Sequence, residues 1–467
     1  MRLFILIICF CAGCFANAQN VDSLQLNFRE YLGYVKKYHP IARQANMALD
    51  IGQANLMKAR GGFDPKIEVD YSGKEFKGKE YYDLLNATFK VPTWYGIELK
   101  GDFEQYTGEY VNAERNVPED GLYSAGVALS LGRGSWINER MATLKKAKFF
   151  REQSKADRDI LVNQILYDAS LAYFNWLQAY RNSLLFNDFL DNAKVRLKGI
   201  NQSALAGEIA AIDTVEAKIA VQNRALELEQ AKVTLRNARL ELSNFLWMGE
   251  NIPMELQENV LPDLSLDVEI DQALEILGKP LDSFVLENHP KLKSLGYKID
   301  GLTVDKRLKT NKLLPRIDVE YKFITDTPNY LNSLEPQNYK GGLNFELPLF
   351  LRKERGDLKL AKLKLRDAQF EFDNAQVQIQ NKIVAIYNEL ESFEKQNSLI
   401  EDIVASYQAL LAAEERKFSF GESSLFLINS RETKLIDAVL KQNLVENKYF
   451  TAKAKLFNSL AVNPENL

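Results

Sequence analysis

A chain written twice has few architectures open to it, and this one repeats. Its only two histidines stand before proline, His39 in Tyr38-His39-Pro40 and His289 in Asn288-His289-Pro290. Twenty-six residues after each comes a matched string, Pro65-Lys66-Ile67-Glu68-Val69-Asp70-Tyr71 and Pro315-Arg316-Ile317-Asp318-Val319-Glu320-Tyr321. The strings agree in residue class at every position, so a unit of about 250 residues occurs twice in 467.

Each unit opens with a helical pattern, from about Ser23 to Arg60 and from about Leu281 to Leu313. Each is punctuated by its His-Pro pair, because proline suits a first helical turn and breaks an interior one. Later in each unit comes a run of 64 residues without Gly or Pro, 135–198 and 357–420. A helix that long extends roughly 95 Å. The second run carries a heptad of Leu358, Leu365, Phe372, Ile379, Ile386, Phe393, Ile400 and Tyr407, with Ala361, Ala368 and Ala375 beside it. The first shows Ile165, Ala172, Ala179, Phe186, Ala193 and Ile200. A sustained seven-residue period predicts supercoiled helices in close approach. Each long helix stops at a Gly-Glu turn, Gly207-Glu208 and Gly421-Glu422, followed by a return helix of about half the length. Short connections make antiparallel neighbours, so each unit holds a long helical hairpin.

Between opening helix and hairpin lie segments with period-two alternation. Ile67, Val69 and Tyr71 alternate with Glu68 and Asp70; Ile317, Val319, Tyr321 and Phe323 alternate with Asp318, Glu320 and Lys322. Such segments predict strands with one wet and one apolar face. Tyr71, Tyr81, Tyr82, Trp94, Tyr95, Tyr110, Tyr123, Tyr321, Tyr330 and Tyr339 crowd this zone, as aromatics do at membrane interfaces. The first strand region is the longer, with extra material near Gly78 to Pro118 that reads as an added hairpin or an extracellular loop.

The N-terminus reads as an export signal: Arg2, an apolar core from Leu3 to Phe15, and a small-x-small site at Ala16-Asn17-Ala18. All three cysteines, Cys9, Cys11 and Cys14, fall inside it, so the expected mature chain has neither disulfide nor thiol ligand. Cys11-Ala12-Gly13-Cys14 faintly resembles a lipidation site without its usual leucine; cleavage after Ala18 is preferred. A net charge of −4 argues against nucleic acid as main partner. No stretch reaches the length of a transmembrane helix, although β-barrel strands escape such a search. Two histidines far apart make no metal site. Phosphate-loop and nucleophile-elbow motifs are absent. No catalytic residue, cofactor or metal is expected, and the histidines read as helix starts.

On the ordered repetition of His39-Pro40, Pro65, Val127-Ala128-Leu129-Ser130-Leu131-Gly132-Arg133-Gly134 and Gly207, and of His289-Pro290, Pro315, Leu343-Asn344-Phe345-Glu346-Leu347-Pro348-Leu349-Phe350 and Gly421, the chain resembles the TolC-like outer membrane efflux proteins. The resemblance implies a mainly α fold with a β-barrel portion. Long coiled-coil hairpins and transmembrane strands would assemble as a homotrimeric conduit, in which each chain gives four strands to a twelve-strand barrel; the added segment leaves four or six open here. It implies residence in a Gram-negative outer membrane, in contact with its lipid and extending into the periplasm. The duct would conduct passively for a tripartite efflux or type I secretion-like system, with a periplasmic adaptor and an inner-membrane transporter as partners. The expected segments are a signal peptide (1–18), first opening helices (19–62), first strands and loops (63–135), first hairpin (136–248), a linker (249–283), second opening helix (284–313), second strands (314–350) and second hairpin with C-terminus (351–467).

The resemblance places adaptor contacts at the tips, Gly207, Glu208, Gly421 and Glu422. Family members often carry acids six and nine residues after the second tip glycine; Leu427 and Ser430 stand there, so that acidic ring is absent. At the same offsets in the first repeat stand Asp213 and Glu216, the candidate constriction. The competing reading is a periplasmic coiled-coil adaptor or scaffold without a barrel, which would not need aromatic-rich alternating strands in both halves.

Overall fold

The structure, a computed structural model, describes residues 24–276, 288–328 and 335–462. The signal segment with its three cysteines, the first residues of the second opening helix, the end of the linker and Tyr330 lie outside the described residues.

The expected break at the first His-Pro pair is real. Helix α1 (Phe28–Tyr38) ends where α2 (Pro40–Arg60) begins, with His39 between them in extended conformation. Its Nδ1 accepts the Ile41 backbone N–H at 3.2 Å. In the second repeat, across the linker, His289 caps the helix Pro290–Asn311 in the same way, accepting the Lys291 N–H at 3.1 Å. An imidazole nitrogen thus does what Ser or Asp usually does at an N-cap.

Helix α3 (Glu139–Leu205) is 67 residues long and turns into α4 (Ala211–Ser243). Between the repeats lie α5 (Leu266–Ala273) and short strands: β6 (Trp247–Met248) with β7 (Ile252–Pro253), and β8 (Val260–Pro262), which pairs in parallel with β1 (Leu24–Leu26). The second repeat continues with α6 (Pro290–Asn311), the 68-residue α7 (Arg352–Ser419) and α8 (Leu425–Leu460). The heptad positions of α7 face inward: Leu365, Ile386 and Ile400 are buried, as are Ala361 and Ala368. So are Ile165, Ala172, Ala179, Ala193 and Ile200 of α3.

One six-stranded sheet collects the alternating segments. The first repeat supplies β2 (Lys66–Phe76), β3 (Lys79–Pro92), β4 (Ile97–Thr107) and β5 (Leu122–Gly132), and the second supplies β9 (Arg316–Thr325) and β10 (Tyr339–Glu346). The order is β10-β9-β5-β4-β3-β2, and every neighbouring pair is antiparallel. The added segment of the first repeat is therefore a hairpin inside the sheet, entered through Lys77-Gly78. Both these residues have positive φ, +54° and +69°, as a tight two-residue hairpin turn requires.

The chain divides into two compact units, and neither is a repeat. One consists of residues 45–160 and 285–380 and holds the sheet; the other consists of residues 1–44, 161–284 and 381–467 and holds both hairpin tips. In the first unit Ile137, Met141, Ala142, Val304 and Leu308 form a core beneath Trp94. In the second, an aromatic knot joins Phe28 and Tyr31 to Tyr173, with centroids 5.1 and 5.6 Å apart, and Phe174 to Phe450 at 5.5 Å. The Tyr173 hydroxyl donates to the Leu26 carbonyl at 2.8 Å and accepts the Asp263 N–H at 3.1 Å, which ties β1 and β8 to α3.

Candidate functional site

Two places invite function: the sheet and the hairpin tips. The sheet is inside out by the standards of a water-soluble fold. Its registers put Val69 opposite Ala87, Leu99 opposite Val127, Leu129 opposite Val319 and Val319 opposite Leu343, all on one face. That apolar face is bare: Ile67 is 75% exposed and Leu343 73%. The opposite face carries the charge and is the better covered. Asp102 is buried; it accepts from Ser124 at 2.9 Å and pairs with Lys322 at 2.7 Å. Lys322 also meets Glu320 at 2.6 Å, and Lys340 meets Glu104 at 2.6 Å. No helix among the described residues is long and apolar enough to cross a membrane. A sheet with a wet inner face and a bare apolar outer face suits lipid on one side and an aqueous passage on the other.

The tips were placed by their glycines, and both glycines have the geometry of a helix stop. Gly207 has φ +79° and Gly421 φ +78°. In the first tip the Gly207 N–H donates to the Ala204 carbonyl at 3.1 Å and the Glu208 N–H to Ser203 at 3.0 Å. In the second, Gly421 donates to Phe418 and Glu422 to Lys417, each at 3.0 Å. These paired bonds close the last turn of a helix around a left-handed residue. Gly207, Glu208, Gly421 and Glu422 are all exposed, as are Leu205, Phe420 and Phe426 beside them. The two hairpins pack together near the tips through Ile200, Ala217 and Leu425.

Asp213 lies in the first turn of α4, half-buried. Glu216 is half-buried and accepts from the Asn429 amide of α8 at 3.2 Å. The two acids of the candidate constriction therefore differ in setting, Glu216 being held by the opposite hairpin.

One cluster was not read from the sequence. Glu432 on α8 is 1% exposed; it pairs with Arg224 of α4 at 3.2 Å and with Arg196 of α3 at 2.7 Å. Arg224 also meets Glu227 at 2.8 Å and Thr433 at 3.1 Å, and Arg196 meets Glu415 of α7 at 3.3 Å. All four hairpin helices are thus joined by charge. The signal for it was present: Glu432 interrupts the apolar stripe of Leu425, Ile428 and Leu435.

Away from the sheet, charge pairs secure the second repeat's helices. Lys309 donates to Asp357 at 3.0 Å, which holds the Asp357 carboxyl below its ordinary range and raises the lysine. His39 is pushed below its usual value by burial, offset in part by a backbone hydrogen bond at Asn244. Among the described residues no group of His, Cys, Asp and Glu could hold a metal ion.

Residues 283–462 match the family described as outer membrane efflux protein. In fold the likeness extends across both repeats. The Campylobacter jejuni CmeC outer membrane channel matches with a TM-score of 0.63 at 14% identity, over 93% of this chain and 85% of that one. The fold is TolC-like. The open state of the Neisseria gonorrhoeae MtrE outer membrane channel gives 0.64 at 14%, over 93% and 88%. The Vibrio cholerae outer membrane protein VceC gives 0.62 at 12%, over 93% and 96%. No curated protein matches the sequence. The TolC-like fold accounts for the duplication, the paired hairpins and the inverted sheet together, and the second repeat carries the efflux-protein family signature.

Proposed function

We propose that this TolC-like chain is the outer-membrane channel of a tripartite efflux or type I secretion-like system. Its strands lie in the outer membrane and its hairpins in the periplasm. It assembles as a homotrimer and conducts passively, driven by an inner-membrane transporter through a periplasmic adaptor. The adaptor meets Gly207, Glu208, Gly421 and Glu422. One observation carries the reading: one face of the sheet is apolar and exposed while the other carries the charge, which a soluble adaptor or scaffold has no use for.

Asp213 and Glu216 narrow the closed mouth in this reading. Three Asp213 carboxylates brought together repel, which works against closure. An Asp213→Ala channel with unchanged conductance and cation response in planar bilayers would sink that assignment. For the channel itself the test is fractionation: recovery from outer membranes, only with detergent and as a trimer, supports it. Recovery as a soluble periplasmic monomer refutes it.

A further inference from the structure

We infer that the barrel holds six staves per chain and is closed by β10 of one copy pairing with β2 of the next, with Phe345 opposite Val69. The inference rests on the channel reading above and departs from the four strands per chain that the family resemblance implies.

Among the described residues both outermost strands lack a partner along their outer edge, and every residue of β2 and of β10 is exposed. An open strand edge cannot stay in lipid, because its amides and carbonyls have no water to bond. The chain does not close the sheet on itself, for β2 and β10 stand at opposite ends of it without pairing, and single-chain membrane barrels begin at about eight strands. The edges do suit each other. With six strands all antiparallel to their neighbours, β10 runs opposite to β2, so a second copy continues the pattern without a parallel junction.

The added hairpin is part of this wall rather than a loop above it. Strand β3 pairs with β2 from Lys66–Lys90 to Phe76–Lys79 and with β4 from Asp83–Thr107 to Pro92–Glu98. The apolar face continues across it through Leu85, Ala87 and Phe89. Three copies make eighteen staves, and diameter grows roughly linearly with strand number, so this barrel is about 1.5 times as wide as one of twelve.

The duplication supplies the register between copies. Strand β9 repeats β2, Ile317-Asp318-Val319-Glu320-Tyr321 standing for Ile67-Glu68-Val69-Asp70-Tyr71. Strand β10 repeats β5, Leu343-Asn344-Phe345 standing for Val127-Ala128-Leu129. Within the chain β5 lies beside β9, with Leu129 opposite Val319 and Val127 opposite Tyr321. The junction between copies is the same junction repeated, which sets Phe345 opposite Val69 and Leu343 opposite Tyr71. All four residues already belong to the apolar face of their own strands, an agreement that a one-residue slip would destroy.

The test uses the full-length chain, whose native cysteines all precede residue 15. Val69→Cys with Phe345→Cys places two thiols at a facing pair, within disulfide reach. Mild oxidation in outer membranes should give covalent dimers and trimers on non-reducing gels. Tyr71→Cys with Phe345→Cys, two residues out of register, should give little product, and equal yields from both pairs would overturn the register. Electron cryo-microscopy of the unsubstituted chain counts the staves whether or not the cysteine variants assemble. Eighteen supports the inference. A trimer with twelve, the β3–β4 hairpin lying outside the wall, overturns it while leaving the channel reading intact. A soluble monomer overturns both.

Discussion

The helical parts of the two repeats have stayed alike, whereas the strands between them have not. Helices α3 and α7 are 67 and 68 residues long, and the tip glycines have φ of +79° and +78°. The histidine caps differ by 0.1 Å. Yet four strands come from the first repeat and two from the second. Packed helices tolerate little change of register, because every seventh side chain has a partner across the seam. A sheet accepts a whole hairpin, since two further strands return the chain to the side it left and preserve the alternation of faces.

The tips are alike in backbone and unlike in charge, and there the largest effects are expected. Glu432 lies eleven residues after Gly421; the same offset from Gly207 falls on the exposed Lys218. Glu432→Ala leaves Arg224 and Arg196 facing a vacated buried site and should cost about 3–5 kcal/mol, whereas Lys218→Ala should cost under about 0.5 kcal/mol. Denaturant unfolding of the detergent-solubilised chain measures both, and equal losses would mean the tips are more symmetric than they look. In the sheet, Val127→Arg on the apolar face should cost about 2–4 kcal/mol near the bilayer midplane. Ala128→Arg on the charged face should have little effect on yield in the membrane. If both variants assemble equally well, the assignment of faces is wrong.

Gly207→Ala and Gly421→Ala should each cost about 1–2 kcal/mol, because only the left-handed backbone resists the new methyl group. Open space surrounds both positions. Limited proteolysis at the tips should report the two losses as equal. The histidine caps sharpen the likeness through pH. Burial lowers the His39 pKa, so the unfolded chain takes up the proton first. The stability from neutral His39 is present above the unfolded pKa of about 6.5 and is lost as pH falls through the folded value. Denaturation midpoints at pH 7 and pH 5 should therefore differ less in His39→Asn than in the unsubstituted chain. The smallest effect separates the return helices. Ser424 caps α8 through a bond to the Leu427 N–H, while Ala210 offers α4 no side-chain cap. Ala210→Ser should raise stability by about 0.5–1 kcal/mol, visible as a small shift in thermal unfolding.

Much of this was legible in the residues because it is local. Runs without Gly or Pro marked α3 and α7, proline after histidine marked the caps, and glycine marked the tips. Strand β3 was not legible: Tyr81 next to Tyr82 and Leu84 next to Leu85 break the alternation of its sequence, so it shows no period of two. The β1–β8 pair and the knot around Tyr173 unite segments far apart in the chain, and no local pattern announces them. Glu216 was singled out as an acid at a family offset, but its bond to Asn429 depends on how two hairpins meet.

The inverted sheet also bears on the life of the chain before it assembles. Ile67, Val69, Tyr71, Leu343 and Phe345 stand bare on one side, and two strand edges beside them are open. In water such a surface sticks to its own kind. On the channel reading proposed above, a newly made copy carries this face through water before it meets lipid. There clumping competes with assembly.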